Sequence, residues 1–167
     1  YYGDSVGTPG SILTFFPWAG AHRGRPGNGQ VYATAFSVAA GSLRFWEARL
    51  LAHGVTPGTT ATRFGDEVLT FTDPDGLILE LVATAEPDAR IAHGHPEIAA
   101  AHAIRGFHGV TIAAIDAART QALLTEPMGY RVTHSADGRT RLTTGAGGPG
   151  TYVDLLVDAS IPRGLPG

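Results

Sequence analysis

Residues 10–27 of this chain come back as residues 150–167, and that duplication restricts the fold to architectures assembled from repeated units. Pro9-Gly10 matches Pro149-Gly150, Arg23-Gly24 matches Arg163-Gly164, and Pro26-Gly27 matches Pro166-Gly167. The separation is 140 residues at Gly10/Gly150 and still 140 at Gly27/Gly167, so nothing is inserted or lost between. The first copy runs on into a β-rich stretch, Val31 to Val38, whereas the sequence ends at the second. With Met128 as its one methionine, the chain reads as an interior piece of a longer duplicated protein.

A shorter spacing lies inside the long one. The turn Asp73-Pro74-Asp75-Gly76 leads into an apolar strand ending at Val82, on the same plan as the stretches after Gly10 and Gly150. The three turn glycines are 66 and 74 residues apart, which sets a unit of about 70 residues. One unit runs from Gly29 to about Ala83. It has a strand over Val31–Val38, and a helix started by Ser42 with Leu43, Trp46 and Leu50 on one face and a stop at Gly54. A short strand over Val55–Thr60, a strand over Glu67–Thr72 and the strand after Gly76 complete it. The next repeats the order, with a strand over Gly106–Ile115, a helix capped by Asp116 and three strands ending near Val157. The expected organisation is a truncated tail over 1–28 with a Tyr1–Trp18 hairpin, a complete βαβββ module over 29–85 and a linker over 86–105. A further module follows over 106–158, then the start of a connection over 159–167. By the same spacing roughly 35 residues, one strand and one helix, precede the tail.

Composition narrows the function. The net charge of −3 offers no basic surface for nucleic acid, and no apolar run is long enough for a membrane span. The absence of Cys removes disulfides, thiolate ligands and a Cys nucleophile. Gly145 to Gly150 lacks the Lys-Ser/Thr and following helix of a phosphate loop, and there is no nucleophile elbow. A cytoplasmic location is the default.

The βαβββ order, the Met128-Gly129-Tyr130 entry to a strand and the Asp73-Pro74-Asp75-Gly76 hairpin with Glu80-Leu81 behind it resemble the vicinal oxygen chelate superfamily. That group includes glyoxalase I, extradiol dioxygenases and bleomycin-resistance proteins. Tyr1 to Asp4, Thr8 to Trp18, Arg63-Phe64-Gly65 and His102 to Thr111 are more specifically similar to ring-cleaving dioxygenases of the hydroquinone-type branch. The resemblance implies an α+β fold in which tandem βαβββ modules pair into curved half-barrel sheets. It implies a parent that is a non-haem Fe(II)-dependent, extradiol-type dioxygenase acting on hydroquinone- or catechol-like aromatics with dioxygen. A glyoxalase-type metal-dependent isomerase and a metal-free, antibiotic-sequestering protein use the same scaffold. A homo-oligomer is compatible with all three.

In that superfamily ligands stand on the first strand of a unit, as His, and on its last strand, as Glu. Two His and one carboxylate leave open positions on Fe(II) for substrate and dioxygen. Here the first-strand places fall near Tyr32 or Ala33 and on Gly109, and the last-strand places on Thr14, Glu80 and Asp154. The candidates left for a metal are Glu80 and His108. Strand alternation turns His108, one residue off the ligand place, away from a ligand cavity. The resemblance to the dioxygenase branch implies iron ligands on the first and fourth units, with no cofactor bound by this chain, and no catalytic residue is assigned. His93, His95 and His102 read as a solvated linker. Tyr1, Phe15, Phe16, Trp18 and Tyr32 read as packing residues rather than a substrate pocket, with at most one of Phe15 and Phe16 facing any one cavity.

Overall fold

The structure, a computed structural model, describes residues 1–17, 19–20 and 22–165. Trp18, the far end of the expected hairpin, and Pro166-Gly167, the end of the second repeat, lie outside the described residues.

The first unit comprises β1 (Gln30–Val38), α1 (Leu43–Ala52), β2 (Ala61–Arg63), β3 (Asp66–Thr72) and β4 (Ile78–Ala83). The second comprises β5 (Gly106–Ala113), α2 (Ala118–Thr125), β6 (Arg131–Ala136), β7 (Arg139–Thr143) and β8 (Tyr152–Leu156). All eight strands form one curled half-barrel sheet in the order β2-β3-β4-β1-β5-β8-β7-β6. Within each unit the first and last strands run parallel, and the units join through antiparallel β1 and β5.

Local chemistry sets these elements. The chain leaves α1 by a Schellman turn, Val55 N–H to Leu50 O at 2.9 Å and Gly54 N–H to Leu51 O at 3.0 Å, with Gly54 at φ 76°. Both outer hairpins are two-residue turns with positive φ at each position: Phe64 (51°) and Gly65 (89°), then Asp137 (51°) and Gly138 (73°). α1 lays Leu43, Trp46 and Leu50 on the outer face of its unit, over Val38, Leu69 and Leu81. Around α2 the corresponding cluster is Leu124, Leu142, Val153 and Leu155.

Three local expectations change. The strand expected over Val55–Thr60 lies at Ala61–Arg63, where pairing with Asp66–Val68 defines it; Pro57 interrupts the segment before it, which touches β3 through the Gly58 N–H to Thr70 O bond of 2.8 Å. Among the described residues the expected Tyr1–Trp18 hairpin is reduced to a single bridge, Tyr2 to Leu13. That bridge keeps the register of Leu142 and Val153 in β7–β8, each 140 residues on. Ser42 precedes α1 but makes no cap; its hydroxyl turns to Ala101 O (3.3 Å) and His102 Nδ1 (3.1 Å), which fastens the linker instead.

The duplicated connections meet. Arg25 and Leu165, equivalent under the 140-residue repeat, exchange two backbone hydrogen bonds of 2.9 Å. Gly27 has no room for a Cβ there, where Pro162 O and the Gly164 backbone close in.

Candidate functional site

The inner face of the sheet is where strands from both units converge, and a charged network fills it. Small side chains at Ala33, Ala35 and Gly109 let the strands close over it, and Val68 and Val82 pack beneath Ala35. Around them Asp66, Glu80, His108, Arg141 and Asp154 are all buried.

Each unit ends on a strand bearing a buried carboxylate, and each carboxylate is held by arginine. Arg63 donates from Nη1 and Nη2 to Glu80 Oε2 and Oε1 at 2.9 Å each. Arg141 donates from Nε and Nη2 to Asp154 at 2.9 and 3.2 Å, and from Nη1 to Asp66 Oδ2 at 2.9 Å. Arg139 adds 3.3 Å to Asp154 and 2.9 Å to the Thr111 hydroxyl. Buried ions persist only when paired and hydrogen-bonded in this way. For Arg141, burial works against the charge, but hydrogen bonding to Asp154 and Asp66 outweighs it, so its pKa rises. For Arg139, burial and the nearby Arg63 prevail and the pKa falls.

His108 is not where strand alternation puts it. Ala35 pairs with Gly109 and Phe36 with Phe107, so β1 has no residue opposite His108: it is the extra residue of a β-bulge. Phe107 stacks on Phe36 on the outer face at 5.1 Å, while His108 turns inward beside Gly109. Its Nδ1 lies 3.3 Å from Ser37 Oγ. Arg90 donates to the same oxygen at 3.1 Å, and a serine oxygen has lone pairs enough to accept from Arg90 and from the imidazole together. Nε2 is buried without a hydrogen-bond partner among the described residues and lies 3.7 Å from Asp66 Oδ2, beyond hydrogen-bond length. Burial, and then the Arg141 charge, push its pKa down to about 4 against the pull of Asp66 and Asp154, so His108 is neutral at pH 7.

A cavity of about 210 Å³ opens at one end of this network, lined by Phe64, Glu86, Arg131, His134, Arg141 and Tyr152 among others. The Arg141 guanidinium lies between the rings of Phe64 (4.9 Å) and Tyr152 (4.7 Å). Tyr152 donates to Glu86 at 2.6 Å, and burial together with that acceptor raises its pKa. A wider groove of about 1460 Å³ runs over the outer face, between Tyr1, Tyr2 and Phe15 on one side and Phe36, Phe71 and Phe107 on the other. Phe15 lines it and Phe16 does not.

The residues of the inner face do not fit an iron triad. Both oxygens of Glu80 and both of Asp154 are occupied by guanidinium groups. At the first-strand place of the second unit, a Cβ on Gly109 would stand 2.5 Å from Tyr152 O, so no His side chain fits. Among the described residues no three His or acidic side chains converge at metal distance. Glu80 and His108, both candidates from sequence, lie on this face, but Glu80 is taken up by Arg63. In the linker, His102 stacks on Phe45 at 4.5 Å and His95 closes a turn with Ile98. Sequence reasoning missed Arg63, Arg141 and Asp66. Their partners are set by strand register, and the only early signal was Gly109 itself, since a glycine inside a strand marks a bulge or a close approach.

No family model matches the sequence. MhqO of Bacillus subtilis, named as a ring-cleaving dioxygenase, is 39% identical over 167 residues, all of this chain and 52% of its own length. The chlorohydroquinone/hydroquinone 1,2-dioxygenase of Sphingobium indicum is 29% identical over 166 residues, 95% of this chain and 50% of its own. The chain thus spans about half the length of the curated relatives it matches. A crystal structure from Bacillus subtilis, described as a dioxygenase, superposes with a TM-score of 0.82 at 38% identity, over 96% of this chain and 50% of that one. Glyoxalase I of Zea mays shares the fold, with a TM-score of 0.55 at 13% identity over 86% of this chain and 47% of that one. No helix among the described residues is long and apolar enough to cross a membrane.

Proposed function

We propose that this chain, related over its whole length to MhqO and similar in fold to the vicinal oxygen chelate proteins, is the scaffold half of a ring-cleaving dioxygenase. The parent acts on a hydroquinone- or catechol-like aromatic with dioxygen and uses Fe(II) held by residues outside this half. The observation that carries this reading is the relationship to MhqO over the whole chain, joined to an inner face whose carboxylates are taken up by arginine. What these residues do for the reaction is mechanical. The β1–β5 seam and the ion pairs across it hold the two units at a fixed curvature, and the outer groove offers aromatic surface against which further units pack. The organisation proposed is a tail over 1–28, modules over 29–85 and 106–158 joined by the 86–105 linker, and a connection over 159–167. The parent is proposed to be cytoplasmic and to form a homo-oligomer.

Anaerobic Fe(II) titration of the 167-residue protein, followed by oxygen uptake with hydroquinone and catechol, tests the assignment. The expected result is no stoichiometric iron and no turnover from this chain, and both from a chain of the relatives' full length. Turnover by the 167 residues alone would place the catalytic centre on the inner face after all.

A further inference from the structure

We propose that the cavity at the end of the inner face is a binding site for a small amino acid, a zwitterion whose carboxylate meets Arg131 and Arg141 and whose ammonium meets Glu86.

The charges of the inner face are the first ground for this. Along the seam Arg63, Arg139 and Arg141 stand against Glu80, Asp154 and Asp66, and each of the six is in an ion pair. Two further charges line the cavity: Arg131 at the start of β6 and Glu86 just beyond β4. Among the described residues, neither of these forms an ion pair, with the other or with any third group. Arg131 gives Nη1 to Gly145 O at 2.8 Å, which occupies one of its five N–H groups. Glu86 accepts from Tyr152 through Oε2 at 2.6 Å, and its Oε1 has no donor among the described residues.

Arg141 adds buried donors to the same cavity wall. Three of its five N–H groups go to Asp154 and Asp66, and two have no acceptor among the described residues. The rings of Phe64 and Tyr152 hold that guanidinium in place, so the unused donors are fixed before any ligand arrives.

Size and charge then select the ligand. The cavity of about 210 Å³ is smaller than the roughly 300 Å³ at which sites for drug-sized molecules begin. It equals the liquid volume of about seven waters, which admits a compact amino acid and excludes a peptide or a nucleotide. A simple anion would satisfy the arginines and face Glu86 with a like charge. A simple cation would do the reverse. A molecule carrying both charges satisfies both walls, and Phe64, Ala85 and Ala146 offer apolar surface to its side chain. The dioxygenase reading assigns no role to Arg131 or Glu86, so the two stand or fall separately.

Thermal melts of the 167-residue protein with each standard L-amino acid in turn are the first test. At about ten times a millimolar dissociation constant, the amino acid that fits is expected to raise the melting temperature by about 3 °C. Titration calorimetry then compares that amino acid with its amide, which lacks the carboxylate, and with its deaminated acid, which lacks the ammonium. Each is expected to bind at least about tenfold more weakly, the effect of losing a hydrogen bond between charged groups. Arg131→Gln should abolish the preference over the amide, and Glu86→Gln the preference over the deaminated acid. Both side chains are exposed, so both variants are expected to fold, as circular dichroism would show. The site is wrong if no amino acid raises the melting temperature of the wild type, or if the amide or the deaminated acid binds it as tightly. It is equally wrong if either variant folds and keeps the discrimination it should lose. The wild-type comparison decides the matter even where a variant fails to fold.

Discussion

The two βαβββ units share an order of elements and end on equivalent strands, yet they neutralise their equivalent carboxylates from different directions. In the first, Glu80 on β4 is met by Arg63, which reaches over from the edge strand β2 and stays partly open to solvent at 19% side-chain exposure. In the second, Asp154 on β8 is met by Arg141 from the neighbouring β7, at 5% exposure, and the same arginine crosses to Asp66 of the first unit. The first pair is local to its unit, while the second joins the two. A repeat can thus keep its backbone plan and the position of a charge while the partner of that charge comes from another strand, and only one of the partners ties the units together.

The most disruptive test of this contrast is Arg141→Met. It strands Asp66 and Asp154 in the interior and is expected to cost about 3–5 kcal/mol, the usual result of breaking a buried pair from one side, as read by denaturant melts.

Acid should come next, acting through His108 at the seam between the units. Its folded pKa of about 4 lies below the ordinary 6.5, so between those values the unfolded chain binds the extra proton. The stability tied to neutral His108 is therefore complete above pH 6.5, declines as pH falls and is gone below about 4. The difference is about 3 kcal/mol by the usual conversion of pKa shifts. His108→Gln should flatten that part of the pH profile; an unchanged slope would remove His108 from the network's energetics. Asp66 and Asp154 favour the charged imidazole and Arg141 and Arg90 oppose it, so Arg141→Met should also raise the pH at which His108 charges, measurable by NMR titration.

Arg63→Met is the matching change in the first unit. Water reaches the rim there, so the expected loss is about 2 kcal/mol, that of hydrogen bonds to a charged group. A cost equal to that of Arg141→Met would abolish the contrast between units. Smallest of all, Val132→Thr on the exposed edge strand β6 should stay within about 0.5 kcal/mol.

Much of the fold was readable from the repeat because turn chemistry is local. Gly76 and Gly150, at φ 92° and 97°, sit where the spacing placed them, each ahead of a last strand. The helix face of Leu43, Trp46 and Leu50 was equally plain. What was not readable depends on register. Two residues opposite one turn His108 inward, and nothing in Phe107-His108-Gly109 states that count. Arg141 meets Asp154 because β7 pairs antiparallel with β8 at that position, and it meets Asp66 because the sheet curls. Pattern along the chain cannot show either. The Tyr1–Trp18 hairpin was legible in its register and not in its extent, since a ladder needs partners on both sides to grow.

The contact between Arg25 and Leu165 has a further meaning. A residue that touches its own equivalent lies on a two-fold axis, as in a symmetric homodimer where one patch of surface meets its copy. Here the copies belong to a single polypeptide, so the two sides of the axis are free to mutate separately. They have done so: the position is Arg on one side and Leu on the other, and Arg25 donates to Arg163 O at 3.1 Å, a bond the Leu165 side chain cannot return. The bridge keeps the geometry of a two-fold contact while the sequence on its two sides differs.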